Sequence, residues 1–146
     1  MKGRFINCRE DIDAMVVKIS RITGLKLKVE VEGFEIVSGQ IDDKSPKEGP
    51  SPGSLMAASL GLCAGLYAGW YLKRHNIPDE GLTVEVDTLD EKEPSRVGTF
   101  NVRVNLKADL SPEARVGLLA SVNRCYVGNT LKGNPDINYE LNVESP

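Results

Sequence analysis

The stretch Ser51–Leu72 (SPGSLMAASLGLCAGLYAGWYL) runs for 22 residues without a charge, in a chain where 27% of residues are charged. A segment of that kind has few options: a helix covered by the rest of the fold, or one that crosses a bilayer. Ser51 suits an N-cap, and Pro52 suits the first helical position, where a missing N–H costs nothing. No proline follows until Pro78, and Lys73-Arg74 put cations in the last turn, where they complement the helix dipole. Ala57, Gly61, Gly65 and Gly69 recur every fourth residue and so share a stripe. Glycine inside a helix costs roughly 1 kcal/mol relative to alanine, so three on one stripe predict another element packed close to this backbone. Cys63 stands at the centre. The G-x-x-x-G spacing also fits a membrane helix, but Gly, Ser and Ala dilute its hydropathy, and its neighbours are amphipathic. A long helix buried on most sides is expected, with no membrane partner.

At 146 residues the chain is expected to form one domain with a real core. Its net charge of −3 and the lack of a basic run with interleaved aromatics argue against nucleic acid as a partner. Met1-Lys2-Gly3-Arg4 leads into a polar-interrupted stretch and not an apolar signal region, so a cytoplasmic location is expected. Cys8, Cys63 and Cys125 lack C-x-x-C spacing and the chain has one histidine, so neither a zinc site nor another cofactor is expected.

Around the central helix, the pattern changes period. Ile12, Met15, Val16, Ile19 and Ile22 predict an amphipathic helix over about 9–22, so that residues 1–24 form a helical extension. Leu25–Val31 alternates apolar and polar, Glu32-Gly33 suits a turn, and Phe34–Ile41 suits a second strand. Asp42–Gly53 is a polar, Pro- and Gly-rich loop. Beyond the helix, Leu82–Leu89 and Phe100–Leu106 predict a second hairpin across a charged turn, Asp90–Gly98. Ser111-Pro112-Glu113 opens another helix whose stripe of Leu118, Leu119, Val122 and Cys125 runs to near Gly128. Ile137, Tyr139, Leu141 and Val143 predict a last strand. Strands in hairpins place the chain in the α+β class with antiparallel sheets.

Two cysteines, Cys63 and Cys125, lie on the apolar faces of the two internal helices. Buried cysteine is usually inert packing. Two inward thiols on helices that cover the same sheets can instead meet, the layout of a thiol pair that cycles through a disulfide. No cation stands one turn from Cys63, whose neighbours are Ser59, Leu60, Leu66 and Tyr67. His75 is twelve residues on, roughly 18 Å along a continuous helix, too far to serve as its base.

The segment from Ser51 through Cys63, followed downstream by Asn123-Arg124-Cys125-Tyr126-Val127-Gly128-Asn129-Thr130-Leu131, resembles the OsmC/Ohr family. That family's pattern is a proline, a Leu- and Ala-rich helix carrying a cysteine, and a later C-P-x-x-N-T-L-like segment; the resemblance spans about 25–143. It implies antiparallel bent sheets around a long central helix, in an intertwined homodimer. It also implies a stress-response peroxidase acting on organic hydroperoxides: Cys63 would be the peroxidatic cysteine that becomes a sulfenic acid, Cys125 the resolving cysteine, and a dithiol would be the reductant. The sequence departs from the pattern where the family's glutamate would fall, at Gly53 or Ser54, and in the absence of an arginine from Leu25–Gln40. Tyr126 replaces the common proline. Arg21 and Glu48 are the candidates to activate the thiol in place of the usual pair. Without that pair, the alternative is a small-molecule-binding or redox-sensing protein on the same scaffold, or a structural module built on the glycine-striped helix.

Overall fold

The computed structural model describes residues 15–146. Their element order is β1 (Lys18–Thr23), β2 (Lys26–Val31), β3 (Phe34–Ser38), α1 (Pro52–Arg74), β4 (Thr83–Lys92), β5 (Ser95–Asn105), α2 (Pro112–Asn123) and α3 (Tyr126–Lys132). The class is α+β with antiparallel sheets: β1-β2-β3 form one and β4-β5 the other. The chain divides into two compact units, one ending at Pro52 and the other covering Gly53–Pro146.

In the first unit, Lys18–Thr23 is a strand and residues 15–17 form no helix, so the expectation of a helix through Ile22 is corrected there; residues 1–14 of that extension, with Cys8, lie outside the described residues. The spacing of Ile19 and Ile22 fits a helix, but β-branched side chains lose rotamer freedom on a helix and gain packing on a strand. The edge of β2 is one tight turn away. Lys18 pairs with Glu30 and Arg21 with Leu27, and the register slips after Arg21 so that Thr23 pairs with Lys26. Gly24 makes the turn at φ 54°, and a β-carbon on it would collide with the Ile41 carbonyl that receives the Leu25 amide. β2 and β3 pair from Leu27↔Ser38 to Val31↔Phe34 across the expected Glu32-Gly33 turn. β3 ends at Ser38, short of Ile41, and the buried Ser38 hydroxyl donates to the Pro50 carbonyl at 2.7 Å. The loop from Asp42 is held by its own carboxylate, which accepts from the Lys44 and Ser45 amides and the Ser45 hydroxyl.

The second unit is organised by α1. One stripe, Leu60, Ala64, Ala68 and Leu72, is buried. Ala68, Leu72 and Leu118 of α2 make the core, with Tyr71, Ile77, Leu82, Val104 and Leu106 packed around them. Of the three glycines on the stripe, Gly61 and Gly65 have the close neighbour that the spacing predicts, and Gly69 has open space. A β-carbon on Gly61 would lie 3.1 Å from the Val86 methyl, and one on Gly65 3.7 Å from that of Val84, so β4 lies directly on the helix backbone. The opposite face departs from the expectation of a helix buried on most sides: Leu62, Leu66 and Trp70 are 55–72% exposed. By length and composition α1 is apolar enough to cross a bilayer.

β4 and β5 continue to Lys92 and from Ser95, so the turn is narrower than Asp90–Gly98. Asp90 pairs with Val97 and Glu91 with Arg96, whose guanidinium meets the Glu91 carboxylate at 2.6 Å, so most of the charged stretch is ladder and not loop. Ser111 caps α2 as expected, its hydroxyl accepting from the Ala114 amide at 3.1 Å. The helix stops at Asn123, earlier than the predicted end near Gly128. Residues 134–146 form no strand, and Ile137, Tyr139, Leu141 and Val143 are 71–91% exposed. Their alternation is real, but a strand is stabilised by a hydrogen-bonded neighbour, and none of the described strands pairs with them.

Candidate functional site

The site lies where α2 gives way to α3 against the middle of α1. Cys125 is in extended conformation (φ −62°, ψ 146°) and serves as the N-cap of α3, its sulfur accepting the Gly128 amide at 3.4 Å. Cysteine is not among the strong capping residues, which is why the apolar stripe alone reads as one continuous helix here. The Gly128 position admits no side chain without movement, since a β-carbon there would stand 2.9 Å from the Cys125 sulfur.

Cys63 meets the same turn. Its sulfur accepts the Val127 amide at 3.4 Å, so the two sulfurs meet neighbouring amides of one turn, and Cys63 is near enough to raise the Cys125 thiol. Both cysteines are reduced. α2 is registered on α1 by Ser121, whose hydroxyl donates to the Tyr67 carbonyl at 3.1 Å. Tyr67 follows Cys63 by four residues, so this bond sits one turn from the Cys63 thiol on α1, and Ser121 stands in the last turn of α2, four residues before Cys125. Sequence reasoning missed Ser121, although its spacing from Cys125 puts the two on one side of a helix.

Cys125 is 3% exposed, and burial pushes its thiol above the ordinary value of 9.0. The nearby Cys63 adds to that, while the Gly128 N–H and the Lys132 ammonium pull the other way. Lys132, at the end of α3, donates to the Asn123 carbonyl at 2.9 Å and to its side-chain oxygen at 3.1 Å. Cys125 borders a cleft of about 920 Å³ walled by Leu60, Phe100, Leu119 and Leu131, with Arg96 and Lys132 as its cations. His75 stacks on Tyr71 at 4.2 Å at the far end of α1, in keeping with a helix-end role. No group of His, Cys, Asp or Glu suited to a metal ion occurs among the described residues.

The two candidate activators belong to the first unit. Glu48 is ion-paired with Lys26 at 3.0 Å. Arg21 stands on β1, opposite Leu27. The expected hairpin is β2–β3, and β1 adds a hairpin before it, β1–β2, which carries this arginine.

The OsmC-like protein family model matches residues 42–140, more than half of the chain. No curated protein matches it. Among solved structures, the fold is similar to that of a Psychrobacter arcticus protein described as a candidate osmotic stress induced and detoxification response protein. They share 21% identity over 83% of this chain and 91% of the other, with a TM-score of 0.71. The OsmC-like protein of Mycoplasma pneumoniae is 18% identical over 84% and 91% of the two chains, with a TM-score of 0.68. The organic hydroperoxide resistance protein OsmC of Legionella pneumophila is 19% identical over 86% and 93%, with a TM-score of 0.55. With its two thiols brought together at the α2–α3 turn, this chain belongs to the OsmC-like protein family.

Proposed function

We propose that this protein is a thiol-dependent peroxidase that reduces organic hydroperoxides through Cys63 and Cys125. The observation that carries the reading is the pairing itself: two cysteines 62 positions apart are neighbours, each sulfur holding an amide of the same turn. The Cys63 thiolate attacks the distal peroxide oxygen, the O–O bond breaks, and the alcohol leaves with a proton. Cys63 is then a sulfenic acid. The Cys125 sulfur displaces the hydroxyl from Cys63, water departs with the Cys125 proton, and a disulfide remains. A dithiol reductant returns both thiols by exchange.

Cys63 is the better attacker because it is half-buried where Cys125 is enclosed. Arg21 and Glu48 are proposed to activate it, with Arg21 drawn from the β1–β2 hairpin. The reading extends to a cytoplasmic homodimer in which a second copy covers the exposed Leu62–Leu66–Trp70 face of α1, and to partners that include neither membrane nor nucleic acid.

The test is direct. Reduced protein is mixed with cumene hydroperoxide, and peroxide loss is followed beside mass spectrometry of the cysteines. One equivalent should be consumed per Cys63–Cys125 disulfide formed, and Cys63→Ser should consume none. Wild-type protein that leaves the peroxide intact would reject the proposal.

A second reading, a small-molecule-binding or redox-sensing protein, draws on the cleft beside Cys125 and on Glu48 being held by Lys26. Ligand-induced stabilisation without turnover would favour it.

A further inference from the structure

The corner that carries Cys125 is only two residues long, Arg124-Cys125, between the last residue of α2 and the first of α3. Such a corner leaves the α2 C-terminal carbonyls without helical partners. Here α3 supplies them. The Asn129 side chain donates to the Arg124 carbonyl at 3.2 Å, and the Lys132 ammonium donates to the Asn123 carbonyl at 2.9 Å and to its side-chain oxygen at 3.1 Å. The two ends of α3 are thereby fixed differently: the Cys125 sulfur holds the start through Gly128, and Lys132 ties the finish back to α2.

We infer that Lys132 is a positioning residue for the disulfide step, a clamp that folds α3 back on the end of α2 and so keeps Cys125 at Cys63. Three observations support the assignment. Lys132 makes two hydrogen bonds to one residue, which fixes a long side chain that would otherwise be free in solvent. Both partners border the cleft on which Cys125 opens. The Asn123 and Arg124 carbonyls are the two immediately before Cys125, so a shift of α3 is transmitted to that thiol and not dissipated in a loop. Lys132 also favours negative charge on Cys125, which suits a thiol that must attack Cys63. Arg96, the cleft's other cation, is paired with Glu91.

The clamp acts on resolution and not on the first attack. It rests on the proposed pairing of Cys63 with Cys125, and its test separates the two ideas. Reduced full-length protein and the variants Lys132→Met, Lys132→Arg and Asn123→Ala are treated with cumene hydroperoxide. Loss of the Cys63 thiol and appearance of the disulfide are timed separately by quenched-flow mass spectrometry. In Lys132→Met the first step should stay within about twofold while disulfide formation slows about three- to tenfold, the effect expected for one charge-assisted hydrogen bond at an exposed site. Lys132→Arg should recover most of the rate. Asn123→Ala, which keeps the backbone acceptor, should fall between and serves if Lys132→Met does not fold.

The same variants are then oxidised with glutathione disulfide. One cysteine displaces a glutathione thiolate, the other displaces the second, and the two electrons pass to glutathione without any peroxide. Wild type that ignores the hydroperoxide but forms the disulfide this way, more slowly in Lys132→Met, would reject the peroxidase and uphold the clamp. Equal disulfide rates in wild type and Lys132→Met, slowing of both steps in proportion, or no recovery with arginine would overturn it.

Discussion

The backbone amide of Val127 donates to the Cys63 sulfur at 3.4 Å, so the residue two positions past one cysteine is bound to the other. Because Gly128 likewise serves Cys125, consecutive amides of one helical turn serve the two sulfurs. A turn that holds both thiols defines their separation more closely than two helices packed side chain to side chain.

That arrangement makes Gly128 a sensitive position. An alanine methyl would meet the Cys125 sulfur at 2.9 Å, and a buried cysteine escapes only by turning off the rotamer that accepts the Gly128 amide. Helix propensity favours alanine by roughly 1 kcal/mol, and an off-rotamer side chain costs about 0.5–1.5 kcal/mol, so the stability change nearly cancels. The effect should appear in chemistry instead. Gly128→Ala is expected to form the Cys63–Cys125 disulfide about tenfold more slowly, with a melting temperature close to wild type. An unchanged rate would show that Cys125 does not need its capping position.

The raised Cys125 thiol gives a pH prediction with a fixed sign. Burial keeps the proton on the folded thiol above the ordinary value of 9.0, so the folded state binds more protons than the unfolded chain at that pH. The stabilisation is complete below the unfolded value and is lost as pH rises through the folded one. Alkylation of Cys125 should therefore titrate with a midpoint above 9.0, measured with iodoacetamide in the Cys63→Ser background at several pH values. The gap in stability between wild type and Cys125→Ser should narrow as pH rises above 9. A midpoint below 9.0 would mean that Gly128 and Lys132 outweigh burial.

The parts of this fold that show in the sequence are those whose signal is local. Ser111-Pro112 starts a helix because a hydroxyl reaches an amide three residues on, and Glu32-Gly33 turns because both adopt positive φ. The glycine stripe announces a close neighbour, though only the structure identifies it as Val84 and Val86. What failed was decided elsewhere in the chain. β1 was hidden by an apolar spacing that two periods share, and was settled by the free edge of β2. The break at Cys125 was hidden because a sulfur cap carries no strong sequence signal. Of the site, the cysteine pair was legible through the family pattern. Ser121 and Lys132 were not, since each acts on a backbone carbonyl and leaves no charge partner to look for.

The exposed face of α1 yields a prediction about assembly. Leu62 is 72% and Leu66 56% exposed, so in an isolated chain a polar substitution at either costs little, within about 0.5 kcal/mol as for most surface positions. Two protomers joined through this face would respond very differently. Leu62→Glu with Leu66→Glu is expected to convert a dimer to a monomer in sedimentation velocity at micromolar concentration, since paired burial of four carboxylates is strongly unfavourable. A monomeric wild type, or a variant that stays dimeric, would remove α1 from the interface.

Leu72 tests the separation of scaffold from chemistry. Its side chain is fully enclosed, packed in the cluster with Ala68 and Leu118. Truncation to alanine removes buried methyl groups and leaves a cavity, at a cost of about 2–5 kcal/mol. For a domain of this size each kcal/mol lowers the melting temperature by about 2–8 °C, so a drop of at least several degrees is expected. Yet Leu72 lies nine residues past Cys63, roughly 13 Å along the axis, and the Ser121–Tyr67 bond lies between them. That bond registers α2 on α1 independently of the lower core. Leu72→Ala held well below its melting temperature should therefore form the Cys63–Cys125 disulfide at close to the wild-type rate. Calorimetry and the quenched-flow assay on the same sample check both halves; a disulfide rate that fell with stability would show that the core, and not the α1–α2 hydrogen bond, sets the distance between the thiols.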